Sequence, residues 1–217
     1  MRSGSPAAVL FVALALSSFV GVAVSFGGEL NCLIEPHVAV TVTAPVGGLI
    51  TSVEVDRGDL VKEGQVLAML DSSLERAVGS INHAQAELTN KQMASLELQR
   101  TNAEIALRTI RSPINGVVVE RLMHPGEFTK QERLFRLAQL DPLRVEVFAP
   151  AALHGKVTVG MHAQVRPEAP ATGVYSAKVT VVDRVIDAAS GTFGIRLQLP
   201  NPDYKLPAGL KCTVRFP

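Results

Sequence analysis

Apolar positions along the chain change their period twice. From Val38 the pattern is that of strands: Val38–Val42 is β-branched, Ala44-Pro45-Val46-Gly47-Gly48 is a turn, and Leu49–Val55 sets Ile50, Val53 and Val55 against Thr51, Ser52 and Glu54. Arg57-Gly58-Asp59 is a second turn, and Val66–Leu70 is a further strand ended by Asp71-Ser72-Ser73. The period then becomes helical. Leu74, Ile81 and Leu88 recur every seven residues with Val78 and Ala84 between them, and Leu96, Ala103 and Ile110, supported by Leu107, form a second such series. Leu88 and Leu96 are eight residues apart, so the two series do not share one register. A break near Thr89-Asn90-Lys91 predicts two helices, Leu74–Leu88 and Leu96–Ile110, folded into an antiparallel coiled-coil hairpin. Its expected seam is Leu74, Val78, Ile81 and Leu88 against Leu96, Ala103, Leu107 and Ile110, with Ser72 or Ser73 as the cap of the first helix.

Strands return after Arg111, and here the chain repeats itself. Pro45 and Pro113 are 113 − 45 = 68 positions apart, and Gly48/Gly116, Gly58/Gly126 and Lys62/Lys130 keep that offset. Two copies of one β-unit therefore flank the hairpin, and their shared glycines are expected at turns that need positive φ. From Pro142 short strands follow without another helix: Leu143–Val147, Ala163–Val165, Ala177–Val185, Thr192–Leu199 and Cys212–Phe216, punctuated by Gly and Pro. This predicts a small antiparallel β-barrel. The fold class expected is mainly β with an α-helical hairpin.

Composition narrows the function. Hydrophobic residues make up 47% of the 217, enough for a real core, while aromatics are 5% and Trp is absent, which disfavours base- or sugar-stacking sites. The net charge of +1, with no basic run, disfavours nucleic acid. The histidines (His37, His83, His124, His154, His162) and methionines are scattered, and no Gly-x-Ser-x-Gly, His-Glu-x-x-His, P-loop or dinucleotide fingerprint occurs. No catalytic, metal or cofactor site is expected. Arg76, Arg100 and Arg108, with Glu75, Glu87, Glu97 and Glu104, read as a solvated helix face or as contacts between neighbouring hairpins. At the N-terminus, Arg2, the apolar run Ala7–Val24 and the small residues Ala23-Val24-Ser25 form a secretory leader ending at residue 25. The run is nearly long enough to serve instead as an uncleaved anchor.

Three segments together resemble the membrane fusion proteins, the periplasmic adaptors of efflux pumps. The first is Ala44-Pro45-Val46-x-Gly48-x-Ile50-x-x-Val53-x-Val55-x-x-Gly58-Asp59-x-Val61, running on through Gly64-Gln65-x-Leu67-Ala68-x-Leu70-Asp71. The second is Ile110-Arg111-Ser112-Pro113-Ile114-x-Gly116-Val117-Val118, continuing to Pro125-Gly126-Glu127. The third is Ser190-Gly191-Thr192-Phe193 with Asn201-Pro202 and Leu206-Pro207-Ala208-Gly209. The resemblance implies a linker and strand at 26–42, a split lipoyl-like (barrel-sandwich hybrid) domain at 43–71 and 111–141, the hairpin at 72–110 and the barrel at 142–217. It implies a periplasmic homo-oligomer that serves an inner-membrane transporter, of resistance-nodulation-division type first and ABC type second, and reaches toward an outer-membrane channel. Links at Asp71-Ser72-Ser73, Arg111-Ser112-Pro113 and Leu140-Asp141-Pro142 are expected to let the modules tilt. In this family the segment before the first lipoyl half runs back beside the barrel, which would bring Cys32 to Cys212; in an exported protein a disulfide is then allowed, and two separate buried thiols are the alternative. The rival class, a lipoyl or biotin carrier, needs a lysine at the turn between the halves. Lys62 precedes that turn, Lys91 lies at the helix tip, and none stands between them.

Overall fold

The computed structural model describes residues 28–88 and 91–217, with side chains for 28–82 and 95–217. The leader at 1–25, the helix break at 89–90 and the side chain of Leu88 lie outside the described residues.

Two long strands organise the molecule. β1 (Leu30–Thr43) and β8 (Arg133–Pro150) are antiparallel and pair from Cys32↔Val147 to Thr43↔Arg133. One half of this ladder belongs to a barrel and the other half to the lipoyl-like sandwich. Leu140-Asp141-Pro142, expected to be a flexible link, lies inside β8 as continuous strand. The other two expected links are held as well, since Ser72 and Ser112 are buried. Leu140, Asp141 and Pro142 have no partner in the β1 ladder, which shifts register there, but Asn201 holds the stretch by donating to Asp141 Oδ1 and to the Leu140 carbonyl, so the barrel and the sandwich are joined by a double strand with a braced bulge.

The barrel closes in the order β1-β12-β9-β10-β11-β8 and back to β1, with β9 at His162–Pro167, β10 at Tyr175–Val182, β11 at Thr192–Leu199 and β12 at Leu210–Arg215. Closure leaves no edge strand exposed to another chain. Every second residue points inward, as in Val145 and Val147 of β8 or Ile195 and Leu197 of β11, and Phe193 and Val165 complete the same core. Each such side chain stabilises by about 1.5–3 kcal/mol on leaving water.

The sandwich sets a sheet made of β2 (Gly48–Val53), β4 (Val66–Leu70), β5 (Thr109–Arg111) and β7 (Phe128–Thr129) against the shared ladder, which is extended by β6 (Gly116–Arg121) and β3 (Leu60–Val61). Ile50, Leu67, Leu134, Phe135 and Leu137 fill its core. The repeat's glycines divide into two kinds. Gly58 and Gly126 have φ of +95° and +88°, the left-handed turn expected of both copies. Gly48 and Gly116 sit in strands; at Gly116 close approach to the β8 backbone requires glycine, while the nearest neighbour of Gly48 is only the flexible tip of the Arg108 side chain.

Between β4 and β5 rise α1 (Ser73–Leu88) and α2 (Lys91–Leu107), packed antiparallel. No helix among the described residues is long and apolar enough to cross a membrane.

Candidate functional site: a hairpin with its polar face inward

The hairpin is anchored at its base before any apolar packing begins. Ser72 takes the cap position, its carbonyl accepting the Arg76 amide, while Asp71 Oδ1 accepts the Ser73 amide and supplies the side-chain bond to the first turn of α1. That backbone bond, with the Ser73 hydroxyl next, holds the Asp71 carboxyl below the ordinary range, and Arg108 and Arg76 add to the effect. The Leu70 amide donates to the Arg108 carbonyl and the Asp71 amide to the Leu49 carbonyl. The Arg108 guanidinium crosses from α2 to Glu75 of α1 and lies over Gly48. Arg108 and Glu75 are thus spent inside the hairpin and do not decorate a solvated face.

These base contacts fix how each helix is rotated about its axis. The inward positions are Glu75, Gly79 and Asn82 on α1, continuing from Ser72, and Leu98, Thr101 and Ile105 on α2, continuing to Arg108 just past its end. At Gly79 the helices approach closely: a Cβ there would stand 3.1 Å from the Thr101 methyl. Thr101 is buried, and its hydroxyl donates back to the Glu97 carbonyl. The seam expected from the sequence is therefore displaced. Leu74 is 72% exposed, Ile81 57% and Leu96 60%; Val78, Ala103 and Leu107 also face outward. Ile110 is buried, but in β5 and in the sandwich core. A heptad of apolar residues was legible, yet it marks an outer stripe; Gly79 and Thr101, small residues at a crossing, were the signal for the seam.

At about 100° per residue, the stripe Leu74-Val78-Ile81 is turned by roughly 110° from the α1 seam, and the stripe Leu96-Ala103-Leu107 by roughly 160° from the α2 seam. The stripes leave the hairpin by different flanks. A consequence separates the two assignments. Ile81→Asp should keep the far-UV helical signal and cost under about 1 kcal/mol, as exposed substitutions do. Thr101→Asp buries a carboxylate against α1, costs about 2–3 kcal/mol and melts helices too short to persist alone. Loss of helicity in the Ile81 variant would return that residue to the seam.

Cys32 and Cys212 are joined in a disulfide between paired strands β1 and β12, with Cα atoms 4.8 Å apart, and both are buried in the barrel. Among the described residues no group of three or more His, Cys, Asp or Glu side chains converges as metal ligands. The place between the half-motifs where a carrier domain presents its lysine is taken by the hairpin, entered through Asp71 and left through Arg108.

Residues 38–139 match the family model described as CzcB-like, barrel-sandwich hybrid domain, and residues 143–217 match the CusB-like, beta-barrel domain, whose model label names resistance-nodulation-division systems. An uncharacterized protein of Haemophilus influenzae is 22% identical over 216 residues, covering 85% of this chain and 56% of that protein. The chain spans about half the length of the curated relatives it matches. Among solved structures, ZneB from Cupriavidus metallidurans is 26% identical with a TM-score of 0.55, over 87% of this chain and 97% of that one. The membrane fusion protein Spr0693 from Streptococcus pneumoniae R6 is 15% identical with a TM-score of 0.70, over 88% of this chain and 98% of that one.

Proposed function

From its two matched domains the chain belongs to the membrane fusion proteins, the periplasmic adaptors of efflux systems, and on that premise we propose that it couples an inner-membrane transporter of the resistance-nodulation-division class to a partner in the outer envelope. The observation that carries this reading is the architecture itself. A lipoyl-like sandwich that carries a helical hairpin in place of a lysine, joined through the β1–β8 ladder to a closed barrel, offers several surfaces for protein contact. The label of the matched barrel model favours this transporter class over the ABC exporters. Residues 1–25 supply the leader, or, if retained, the anchor; either way the protein is exported and associates with the inner membrane.

The outward stripes support self-assembly. One copy's Leu74-Val78-Ile81 would meet the next copy's Leu96-Ala103-Leu107. Two different patches joined in this way make a heterologous contact, which closes into a ring when the rotation allows. Contiguous exposed apolar surface of this kind commonly marks an interface. Ile81→Asp, which spares helicity, should then lower the mass of the assembled particle in analytical ultracentrifugation. A variant that assembles like the unaltered protein removes the hairpins from the contact. The coupling itself is tested by co-purification from membranes in mild detergent followed by mass spectrometry. Recovery of a resistance-nodulation-division transporter is expected, and recovery of an ABC exporter in its place overturns that part of the reading.

A further inference from the structure

We propose that the barrel end remote from the hairpin rests on the phospholipid bilayer, with Val159, Val185 and Ile186 entering its interfacial layer. The inference rests on inner-membrane association and adds which surface makes the contact. Strand registers place Leu30 beside Val214, Thr192 beside Pro150, Arg215 beside Gln164, and Val182 beside Ile195. All of these lie at one end of the barrel; the shared β1–β8 ladder leaves by the other. This end therefore holds Gly28, the first described residue, together with the β8–β9 and β10–β11 loops. The two loops brace each other: the Ala151 amide donates to the Gly191 carbonyl, and His154 Nε2 lies 3.2 Å from the Asp183 carbonyl.

Three observations at this end point to lipid. First, the apolar run Ala7–Val24 stops four residues before Gly28, a span of at most about 14 Å of extended chain. Kept as an anchor, the run would hold this end of the barrel within that distance of the bilayer. Second, the loop tips are apolar where loops are usually polar. Val185 is 79% exposed with Ile186 exposed beside it, Val159 in the other loop is 64% exposed, and Phe148 stands out from the adjoining wall. Third, a cavity of about 310 Å³ opens here, lined by Leu30, Leu153, Val157 and Phe216 with almost no polar surface. Charge plays little part. Lys156 and Arg184 offset Asp183 and Asp187 within the two loops, and Asp187 is engaged by Ser190 and the Ala189 amide. Contact should accordingly depend on apolar insertion and withstand salt, unlike the binding of a polybasic patch.

The described cysteines are both in the disulfide, so a single added thiol can be labelled selectively. Val185→Cys carrying an environment-sensitive nitrobenzoxadiazole dye reports the loop tip, and Val174→Cys, in the β9–β10 loop at the other barrel end, reports the control. The labelled full chain is mixed with vesicles of phosphatidylethanolamine and phosphatidylglycerol and floated. The expected result is flotation with a blue shift of the dye at 185, quenched by doxyl-labelled lipid and unchanged by added salt, and no shift at 174. Flotation with a water-like dye at 185 overturns the inference while leaving membrane association intact. Failure to float refutes both. A shift at 185 that needs no lipid and grows with protein concentration assigns the surface to a second copy, and one that appears only with co-purified transporter assigns it to that protein; either overturns the lipid contact.

Discussion

Gly116→Val is expected to cost the lipoyl-like module about 4 kcal/mol, at the severe end of single substitutions. A Cβ at Gly116 would stand 2.3 Å from the Ala138 carbonyl oxygen and 2.9 Å from its carbon, both backbone of β8. No rotamer relieves that contact. Either β6 leaves the ladder, or β8 moves and takes with it the strand shared with the barrel. Val is favourable in strands on average, so propensity and packing make opposite forecasts here, and the distance decides for packing. The repeat supplies the control at Gly48, whose Cβ would meet the tip of the Arg108 side chain at 2.9 Å. A guanidinium on a flexible stem can withdraw, and alanine reduces the entropy of the unfolded chain. Gly48→Ala should cost under about 1 kcal/mol in the same chemical denaturation experiment. Equal losses at the two sites would mean that both glycines serve one structural purpose, contrary to the geometry.

These two residues show what the sequence carried and what it did not. Their constant offset was visible without coordinates, and so was the existence of two β-units around a helical insertion, because period and punctuation are local properties. Why each glycine is glycine was not visible, since close approach depends on which strand lies behind it, and β8 is separated from β6 by β7 and two turns. The hairpin shows the same limit. Seven-residue spacing located α1 and α2, but spacing alone does not state which face turns inward. Arg108, Glu75 and Gly48, distant in sequence and joined at the base, set the rotation, and the apolar stripe follows outward. The through-running β1 and β8 were hidden for another reason. Asp141-Pro142 reads as part of a link, yet it lies inside β8, at the point where the β1 ladder shifts register between Pro36 and Val38. The apolar loop tips at Val159, Val185 and Ile186 carry no period, so only the folded chain brings them to one end.

Breaking the Cys32–Cys212 disulfide is expected to cost about 5 kcal/mol, because it closes a loop of 180 residues whose freedom the unfolded chain regains on reduction. Domains of this size are commonly stable by only about 5–15 kcal/mol, so the loss is a large share of the whole. The damage should be local before it is global. β1 pairs with β12 only from Leu30↔Val214 to Ile34↔Leu210, whereas its ladder with β8 continues to Thr43. The disulfide crosses the β1–β12 seam, which is shorter than the β1–β8 ladder that holds the rest of β1. In the double variant Cys32→Ala, Cys212→Ala, hydrogen exchange should quicken first in Leu210–Arg215 and at the start of β1, while Val40–Thr43, held in the sandwich, stays protected. The barrel would open along one line and expose Val165 and Val214 to solvent, with β9 losing its β12 partner next. Reduction of the unaltered protein should reproduce the pattern, since it removes the same cross-link without removing side-chain volume. Guanidinium denaturation followed by circular dichroism measures the total. A midpoint that is the same for oxidised and reduced protein would show that strand pairing alone closes the barrel and that the disulfide adds nothing to its stability.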